Sequence, residues 1–196
     1  MPELRLHLAT EITPIWRASE EGLNAPGCEP PFWAFAWPGG AAIARHILDH
    51  PESVRGRAVL DVAAGSGIAA IAAARAGAAR ATAAEIDPLA RAAIAMNARA
   101  NGVTVEIAAG DPLAAPPPGA GLVVAGDVCY ERDMAERMTA WLRAAAAAGA
   151  EAWLADPGRA YLPEGNLAEI ARTAVPTSLE LEDRTLRETV IYRLGV

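Results

Sequence analysis

The chain has 196 residues, 24 of them acidic and 17 basic, and its formal net charge at pH 7 is −7. Its length suits one domain with a full hydrophobic core and is short for two. Nucleic acid is a poor candidate partner, because neutralising phosphates requires clustered basic residues, and the absence of lysine from the sequence excludes a catalytic lysine.

The first unusual segment is P-F-W-A-F-A-W-P-G-G, from Pro31 to Gly40. It holds both phenylalanines of the chain and two of its five tryptophans. We predict that these aromatics pack on the core from an N-terminal extension, residues 1–40, to a single domain over residues 41–196. Trp37 stands on a constrained turn before a predicted helix from Ala41 to His50. That position favours an indole that lines a pocket and faces a cationic sulfonium or an adenine.

The segment V-L-D-V-A-A-G-S-G-I-A-A-I-A-A-A-R-A-G, from Val59 to Gly77, reads as strand, glycine-rich turn and helix. The strand ends at Asp61, and the turn passes through Gly65 and Gly67. Because glycine has no Cβ and tolerates positive φ, such a turn brings backbone close to a bound nucleotide. Glu85 ends the next apolar run, where a carboxylate can accept hydrogen bonds from both ribose hydroxyls.

Two classes of nucleotide fit this pattern. Gly65-x-Gly67-x-x-Ala70, with Glu85 eighteen residues past Gly67, matches the dinucleotide fingerprint, in which a pyrophosphate rests on the helix N-terminus. S-adenosylmethionine has no phosphate, and an acidic residue at the end of the first strand can bind its ammonium directly or through water. Asp61 stands at that position and would repel a pyrophosphate. The sequence therefore favours S-adenosylmethionine over a dinucleotide.

The next elements bring further carboxylates to the ends of strands. Asp87 precedes Pro88 and is predicted to cap a helix from Leu89 to Ala100. A strand from Val103 to Ile107 leads to Asp111. This carboxylate can accept a hydrogen bond from an adenine amine, although an ordinary Asp-Pro turn fits equally well.

The run Leu122–Ala125 is fully apolar, which is typical of a buried parallel strand, and G-D-V-C-Y-E follows it from Gly126. Ligands of open α/β sheets bind at the carboxyl ends of parallel strands. Asp127 and Tyr130 lie there, and we predict that they form the catalytic, acceptor side of the site. Four acidic residues share this edge of the predicted sheet: Asp61, Glu85, Asp111 and Asp127.

The C-terminal third predicts a helix from Arg132 to Ala148, a strand from Glu151 to Ala155 and a helix from Gly165 to Thr173. Two strand-like runs follow, Ser178–Glu182 and Thr189–Leu194, with no helix between them. This ending is a hairpin, which favours a methyltransferase sheet with a reversed last strand. A dinucleotide-binding domain would instead repeat its mononucleotide half.

Side chains of this region are candidates for core packing or for substrate contact. Met134 and Met138 have the spacing of core packing on one face of the helix. Arg159 and Tyr161 belong to the polar turn D-P-G-R-A-Y-L-P that begins at Asp156. They are candidate substrate contacts, although a plain turn explains them as well.

The chain resembles the seven-β-strand S-adenosylmethionine-dependent methyltransferases, and D-V-C-Y from Asp127 resembles the Asp-x-x-Tyr motif of the lysine methyltransferases among them. Three segments are similar to the enzymes that methylate the β-subunit of electron transfer flavoprotein: P-F-W-A-F-A-W-P-G-G from Pro31, G-D-V-C-Y-E from Gly126 and D-P-G-R-A-Y-L-P from Asp156. The resemblance implies an α/β fold with a Rossmann-like seven-stranded sheet. That sheet is mostly parallel with a reversed last strand, and helices cover both its faces.

The resemblance also implies S-adenosylmethionine as cofactor, no metal, and a lysine side chain of the flavoprotein β-subunit as acceptor. Together with the residues discussed above, it gives a donor site made of Trp37, Asp61, Ala63, Gly65, Gly67, Glu85, Ile86, Asp111 and Asp127. Ala63 departs from the family pattern, which has the first glycine of the turn there. Alanine tolerates most turn conformations except positive φ, so we expect donor binding to be retained.

Other functions stay open at this point. A small-molecule N-methyltransferase with a nicotinamide-like acceptor and a ribosomal protein L11-type methyltransferase are the alternatives, and an NAD-binding protein is a more distant one. The sequence shows no obvious lid insertion over an acceptor pocket, which suits a protein side chain as acceptor. We expect a monomer.

The cysteines and the apolar runs bear on location. Cys28 and Cys129 are far apart and belong to no C-x-x-C or Cys/His cluster, which indicates a reducing compartment and no metal site. Charged residues such as Asp61 and Arg143 interrupt the long apolar runs, and the N-terminus shows no basic-then-apolar leader. We therefore expect a cytoplasmic protein without a membrane span.

Overall fold

The fold was analysed in a computed structural model that describes residues 1–9, 31–117, 119, 121–177 and 179–195. Cys28 and part of the predicted N-terminal extension lie outside these ranges. Within them, no helix is both long enough and apolar enough to cross a membrane.

Seven strands form one sheet in the order β3-β2-β1-β4-β5-β7-β6. Strands β1 to β5 are parallel, and β7 runs antiparallel to both β5 and β6. This confirms the predicted fold class, including the reversed last strand. The strands are β1 Ala58–Val62, β2 Arg80–Glu85, β3 Glu106–Ala109, β4 Leu122–Gly126, β5 Glu151–Asp156, β6 Leu167–Pro176 and β7 Leu186–Leu194.

Among the described residues, one helix precedes the first strand, the others lie between strands, and the longer helices cover both faces of the sheet. The helices of this part of the chain are α1 Pro38–Asp49, α2 Ile68–Arg75, α3 Pro88–Ala100, α4 Arg132–Ala147 and α5 Leu179–Glu182, with short 3₁₀ turns at Phe32–Ala34, Pro51–Ser53 and Pro112–Ala114. Helix α1 begins three residues before the predicted start at Ala41, because Pro38 takes the first helical position.

The core has two layers, one on each side of the sheet. Alternate residues of the central strands point to opposite faces, so Val124 packs with α1 and α2, whereas Val123 packs with α4. Met138 is buried in the α4 layer, as the core-packing interpretation predicts, whereas Met134 is half-buried, and both methionines also line the cavity described below. A sheet covered on both faces explains why β4 reads as a continuous apolar run.

The first residues of the chain bind to helix α3. The backbone N–H of His7 donates to Asn97 Oδ1 at 2.6 Å, and that of Arg5 donates to Asn101 Oδ1 at 2.9 Å. Asn97 is fully buried and its Nδ2 donates to Ser66 O at 2.9 Å, in the turn before α2. Side-chain amides therefore join the N-terminal residues to the glycine-rich turn.

Two predictions for the C-terminal region are wrong. The predicted helix Gly165–Thr173 is instead occupied mostly by the edge strand β6, and the predicted strand Ser178–Glu182 instead contains the one-turn helix α5. Strand β6 pairs with β7 through a register shift between Glu169 and Ala171. That irregularity breaks the alternation of buried and exposed residues by which a strand is read from sequence.

Candidate active site

A cavity of about 500 Å³ opens at the carboxyl-terminal edge of the parallel strands. All four predicted strand-end carboxylates, both predicted catalytic residues and most of the predicted donor residues line it. The members of those sets in its wall are Trp37, Asp61, Ala63, Gly65, Glu85, Ile86, Asp111, Asp127 and Tyr130. The strand order therefore gathers side chains from distant parts of the sequence at one edge of the sheet.

Asp61 is the next-to-last residue of β1, and its side chain contacts the first turn of helix α2. Its Oδ2 accepts the backbone N–H of Ala70 at 3.0 Å, and the residue is 4% exposed. Burial raises the pKa of Asp61 to about 7; the Ala70 hydrogen bond opposes this shift and the charge of Glu85 adds to it. Asp61 already accepts an amide of the first turn of the helix on which a dinucleotide would rest its pyrophosphate, so that amide is not free for an anionic ligand.

Glu85, the last residue of β2, is fixed by backbone amides. Its Oε2 accepts from Gly65 N at 2.9 Å, and its Oε1 accepts from Ile86 N at 2.7 Å and from Asp87 N at 3.1 Å. A carboxylate has about four acceptor sites, so these three bonds hold Glu85 against the turn and leave acceptor capacity for a ligand. Asp87 itself accepts from Leu89 N at 2.7 Å, which confirms its predicted role as the cap of α3.

The turn between β1 and α2 contains several residues with positive φ. Ala63 has φ +56°, Gly65 +52° and Gly67 +77°. Gly67 does not line the cavity, and a Cβ on it would come within 3.0 Å of the Ile94 side chain, so its place is under the turn against α3. Ala63 lines the cavity in the left-handed conformation, which is unfavourable for alanine.

Asp111 combines the two interpretations that its sequence left open. It lines the cavity, and it also caps the following 3₁₀ turn by accepting from Leu113 N at 2.9 Å. Arg137 of α4 donates to its Oδ2 at 2.7 Å. That hydrogen bond, with the one from Leu113, lowers the pKa of Asp111. The carboxylate is therefore anionic and paired at the rim of the cavity.

Asp127 follows β4 with φ +59°, and its carboxylate lies against the first turn of α1. Its Oδ2 accepts from Gly39 N at 2.6 Å and from Gly40 N at 3.1 Å. Side chains would prevent this approach, because a Cβ on Gly39 would lie 2.6 Å from Asp127 Oδ2 and one on Gly126 would lie 2.5 Å from Gly40 N. The W-P-G-G and G-D-V-C-Y segments are thus parts of one contact.

The electrostatic surroundings of Asp127 are mixed. Burial raises its pKa to about 6, while the charge of Arg159 and the two glycine amides oppose the shift. Arg159 Nη2 lies 3.3 Å from Asp127 Oδ1. Next to it, Cys129 is fully buried, and burial together with the charge of Asp156 raises the pKa of that thiol to about 12. The thiol stays protonated at neutral pH, whereas Asp127 is mostly ionised.

Aromatic rings form the outer wall of the cavity. Trp37 immediately precedes α1, and its Nε1 donates to the carbonyl oxygen of Phe32 at 2.7 Å. The Phe32 ring lies 6.1 Å from that of Trp37 and 6.0 Å from that of Tyr130, centroid to centroid. Tyr130 is 52% exposed. Its ring therefore stands where the cavity meets solvent, and an acceptor entering from outside would pass it.

The two predicted substrate contacts differ in place. Arg159 lines the cavity, whereas Tyr161 does not. Tyr161 lies outside, where Arg132 is 5.1 Å from its ring centroid and its backbone N–H donates to Cys129 O at 3.3 Å. Arg159 thus belongs to the interior of the site and Tyr161 to its surroundings.

Sequence reasoning missed the partner that fixes Asp127 and the ion pair at Asp111. A signal for the first was present: Pro38 at the start of a helix leaves the amides of the next residues without helical partners, and a helix N-terminus attracts an anion. The pairing of Arg137 with Asp111, 26 positions apart, carries no local signal.

The chain is similar to known methyltransferases in sequence and in fold. The family model described as ribosomal protein L11 methyltransferase (PrmA) matches residues 46–125. The electron transfer flavoprotein beta subunit lysine methyltransferase of Danio rerio is 33% identical over 198 residues, covering 98% of this chain and 76% of the relative. The protein of that name from Xenopus laevis is 34% identical, covering 97% and 79%. The solved structure of magnesium protoporphyrin IX methyltransferase from Synechocystis PCC 6803 with bound SAM superposes with a TM-score of 0.57 at 16% identity, covering 95% of this chain and 85% of that one.

The sheet order and the reversed last strand are those of the S-adenosylmethionine-dependent methyltransferase fold, and the sequence relatives show that the chain is a class I methyltransferase of this kind. Carboxylates and aromatic faces in one cavity suit a donor with a cationic sulfur and an adenine better than they suit a pyrophosphate. With relatives that share about a third of its residues along nearly its whole length, the chain belongs to the family of electron transfer flavoprotein β-subunit lysine methyltransferases.

Proposed function

We propose that this enzyme transfers a methyl group from S-adenosylmethionine to a lysine side chain of the β-subunit of electron transfer flavoprotein. The names of its relatives support that substrate. The observation that carries the proposal is the place of Asp127. Its carboxylate is held by the first turn of α1 and lies in the same cavity as Asp61 and Glu85, close to the exposed Tyr130.

The cavity fits the donor. Bound S-adenosylmethionine supplies a methyl group attached to a positively charged sulfur. Asp61 would bind its ammonium, Glu85 a ribose hydroxyl through its remaining acceptor site, and Asp111 its adenine amine. Trp37 would pack against the sulfonium or the adenine. Each of these side chains lines the cavity.

The mouth of the cavity fits an amine that must lose its proton before it can attack. Phe32, Trp37 and Tyr130 line the approach with aromatic rings, and an apolar surrounding would lower the pKa of an entering lysine. The Asp127 carboxylate can accept one N–H of the neutral amine and so direct its lone pair toward the donor. Arg159 offsets part of the negative charge that would otherwise keep the amine protonated.

Mass spectrometry with a panel of acceptors tests the proposal. The purified enzyme and S-adenosylmethionine would be incubated separately with recombinant flavoprotein β-subunit, ribosomal protein L11 and nicotinamide. We expect methyl groups on lysines of the β-subunit and none on the other two. A β-subunit in which the modified lysines are changed to arginine is the matched control and should stay unmodified. Methylation of L11 or nicotinamide with none of the β-subunit would show that the proposed substrate is wrong.

A further inference from the structure

Asp127 is the first member of a buried series of alternating charges. Arg159 Nη2 lies 3.3 Å from Asp127 Oδ1 and 2.6 Å from Glu182 Oε1. Glu182 Oε2 accepts from Arg187 Nε at 2.9 Å. The side chains of Arg159 and Glu182 are only 18% and 3% exposed. Screening by solvent is weak at such positions, so these ion pairs govern the charge around Asp127.

The two distances from Arg159 are unequal, and the same nitrogen makes both contacts. Charge-assisted N–H···O bonds are usually about 2.7 to 2.9 Å long. The contact with Glu182 is therefore a full hydrogen bond, and the one with Asp127 is weak. Glu182 lies at the end of α5, between β6 and β7, so the last hairpin of the fold determines where the guanidinium sits.

We propose that Glu182 is a positioning residue of the acceptor site: it holds the Arg159 guanidinium back from Asp127, so that Asp127 Oδ1 can accept a hydrogen bond from the acceptor amine. This inference rests on the proposed function, because it assigns the amine to Asp127. Without the Glu182 charge, Arg159 would turn toward Asp127. Its Nε, buried and without a hydrogen-bond partner among the described residues, could join Nη2 in a forked ion pair.

The proposal also fixes the direction of a pH effect. The groups that face Asp127 are the amides of Gly39 and Gly40, the Cys129 thiol, the Asp156 carboxylate and the Arg159 guanidinium. Of these, Arg159 carries the positive charge that Glu182 balances. Neutralising Glu182 makes the site more positive, which lowers the pKa of Asp127 and that of the bound amine. The acid limb of the rate profile should then move to lower pH.

The variant Glu182→Gln tests this with the recombinant flavoprotein β-subunit as acceptor. We expect its KM for the β-subunit to rise about tenfold, the effect of one lost hydrogen bond to the acceptor. We also expect the acid limb of kcat/KM to move to lower pH. The Kd for S-adenosylhomocysteine, measured by calorimetry, should stay that of the wild type because Glu182 does not line the cavity that holds Asp61 and Glu85.

Two further variants separate positioning from general damage. Glu188→Gln removes the same charge from β7, where Glu188 pairs with the exposed Arg172, and should leave acceptor KM and pH profile as in the wild type. In the double variant Glu182→Gln with Arg159→Gln, the competing guanidinium is gone. Its acceptor KM should be at least about threefold lower than that of Glu182→Gln alone, whereas damage to the fold would make the double variant worse.

If Glu182→Gln does not fold, Glu182→Asp replaces it, since a shorter side chain keeps the charge but withdraws it from Arg159. A smaller rise in acceptor KM is then expected. An unchanged acceptor KM and pH profile in whichever variant folds, or a double variant no better than Glu182→Gln, would overturn the inference while the proposed function stands. A wild-type enzyme that leaves the β-subunit unmethylated would overturn the proposed function itself, and this inference with it.

Discussion

At the level of single residues, Asp61 carries an energetic cost that depends on pH. Its carboxyl is buried, and its pKa is raised from 3.8 to about 7 by burial, against the Ala70 hydrogen bond and with the charge of Glu85. Between these values the folded protein holds a proton that the unfolded chain has lost. Stability therefore falls as pH rises from about 4 to 7 and changes no further from this cause above 7.

The substitution Asp61→Asn removes that dependence. Asparagine can still accept the Ala70 N–H, so we expect the unliganded variant to be more stable than wild type at pH 8, by on the order of 2 to 4 kcal/mol, with the difference fading toward pH 4. Urea unfolding at several pH values measures it. Asp49→Asn, which changes an exposed aspartate of α1, is the control and should give no such gain. Equal stability of Asp61→Asn and wild type at pH 8 would contradict the assignment.

Ala63 is a second residue that works against stability. Its φ of +56° is in the left-handed region, which costs an alanine about 1 to 2 kcal/mol. Ala63→Gly relieves that cost but adds freedom to the unfolded chain, so we expect a net gain of about 0.5 to 1 kcal/mol. A thermal melt should show the transition about 1 to 4 °C higher.

The neighbouring alanine provides the comparison for Ala63. Ala64 is not among the residues with positive φ, so Ala64→Gly should lose about 0.5 to 1 kcal/mol. If Ala63→Gly lowered the free energy of unfolding as much as Ala64→Gly does, the turn would not be strained at position 63.

At the level of elements, the junction of α1 with the ends of β4 and β5 holds Asp127 in place. Gly39 lies in the first turn of α1, where alanine would ordinarily raise helix propensity. A Cβ there would be 2.6 Å from both Ala155 O and Asp127 Oδ2. Packing and propensity therefore predict opposite effects of the same substitution.

We expect packing to prevail in Gly39→Ala. Overpacked sites lose about 1 to 3 kcal/mol, so the melting temperature should fall by several degrees, and methyl transfer should fall with it because Asp127 loses its amide donors. Gly119→Ala is the control, since a Cβ on Gly119 meets nothing within 4 Å. A Gly39→Ala protein as stable as Gly119→Ala would show that the junction is looser than these distances indicate.

Some strands and helices could be predicted from the sequence and others could not. The strands β1, β2 and β4 were predictable because apolar runs and turn residues are local signals. Strand β6 was not, because its Leu, Ala, Glu and Arg residues favour a helix, and pairing with β7 overrides that preference. The short helix α5 was read as a strand for a related reason: four residues carry too little periodicity to distinguish the two.

At the level of the whole molecule, the parallel sheet makes a site from residues that are far apart in sequence. The sequence was enough to predict that four carboxylates share one edge of the sheet, because the carboxyl ends of parallel strands lie at the same edge. These residues are Asp61, Glu85, Asp111 and Asp127. Their partners could not be predicted. The ties of Asp127 to Gly39 and Arg159 depend on side-chain contacts between elements that only the folded chain brings together.

Different elements of the fold hold different residues of the cavity in place. The first turn of α1 holds one oxygen of Asp127, the last hairpin controls the arginine beside the other, and the N-terminal residues reach the donor turn through Asn97. Elements from both ends of the chain thus support residues that line the cavity, Ser66 through Asn97 and Arg159 through Glu182. The family motifs around Trp37 and Asp127 are two sides of a single contact.

The most direct test of this account is the methyl-transfer rate of Asp127→Asn with the flavoprotein β-subunit, measured beside its Kd for S-adenosylhomocysteine. The asparagine oxygen can keep the bonds from Gly39 and Gly40, which preserves α1, but its amide cannot accept the N–H of the acceptor amine. We predict a fall in kcat/KM of about a hundredfold or more, typical for loss of a group that orients a reacting atom, with Kd changed less than about threefold. A variant that keeps wild-type kcat/KM would contradict the account.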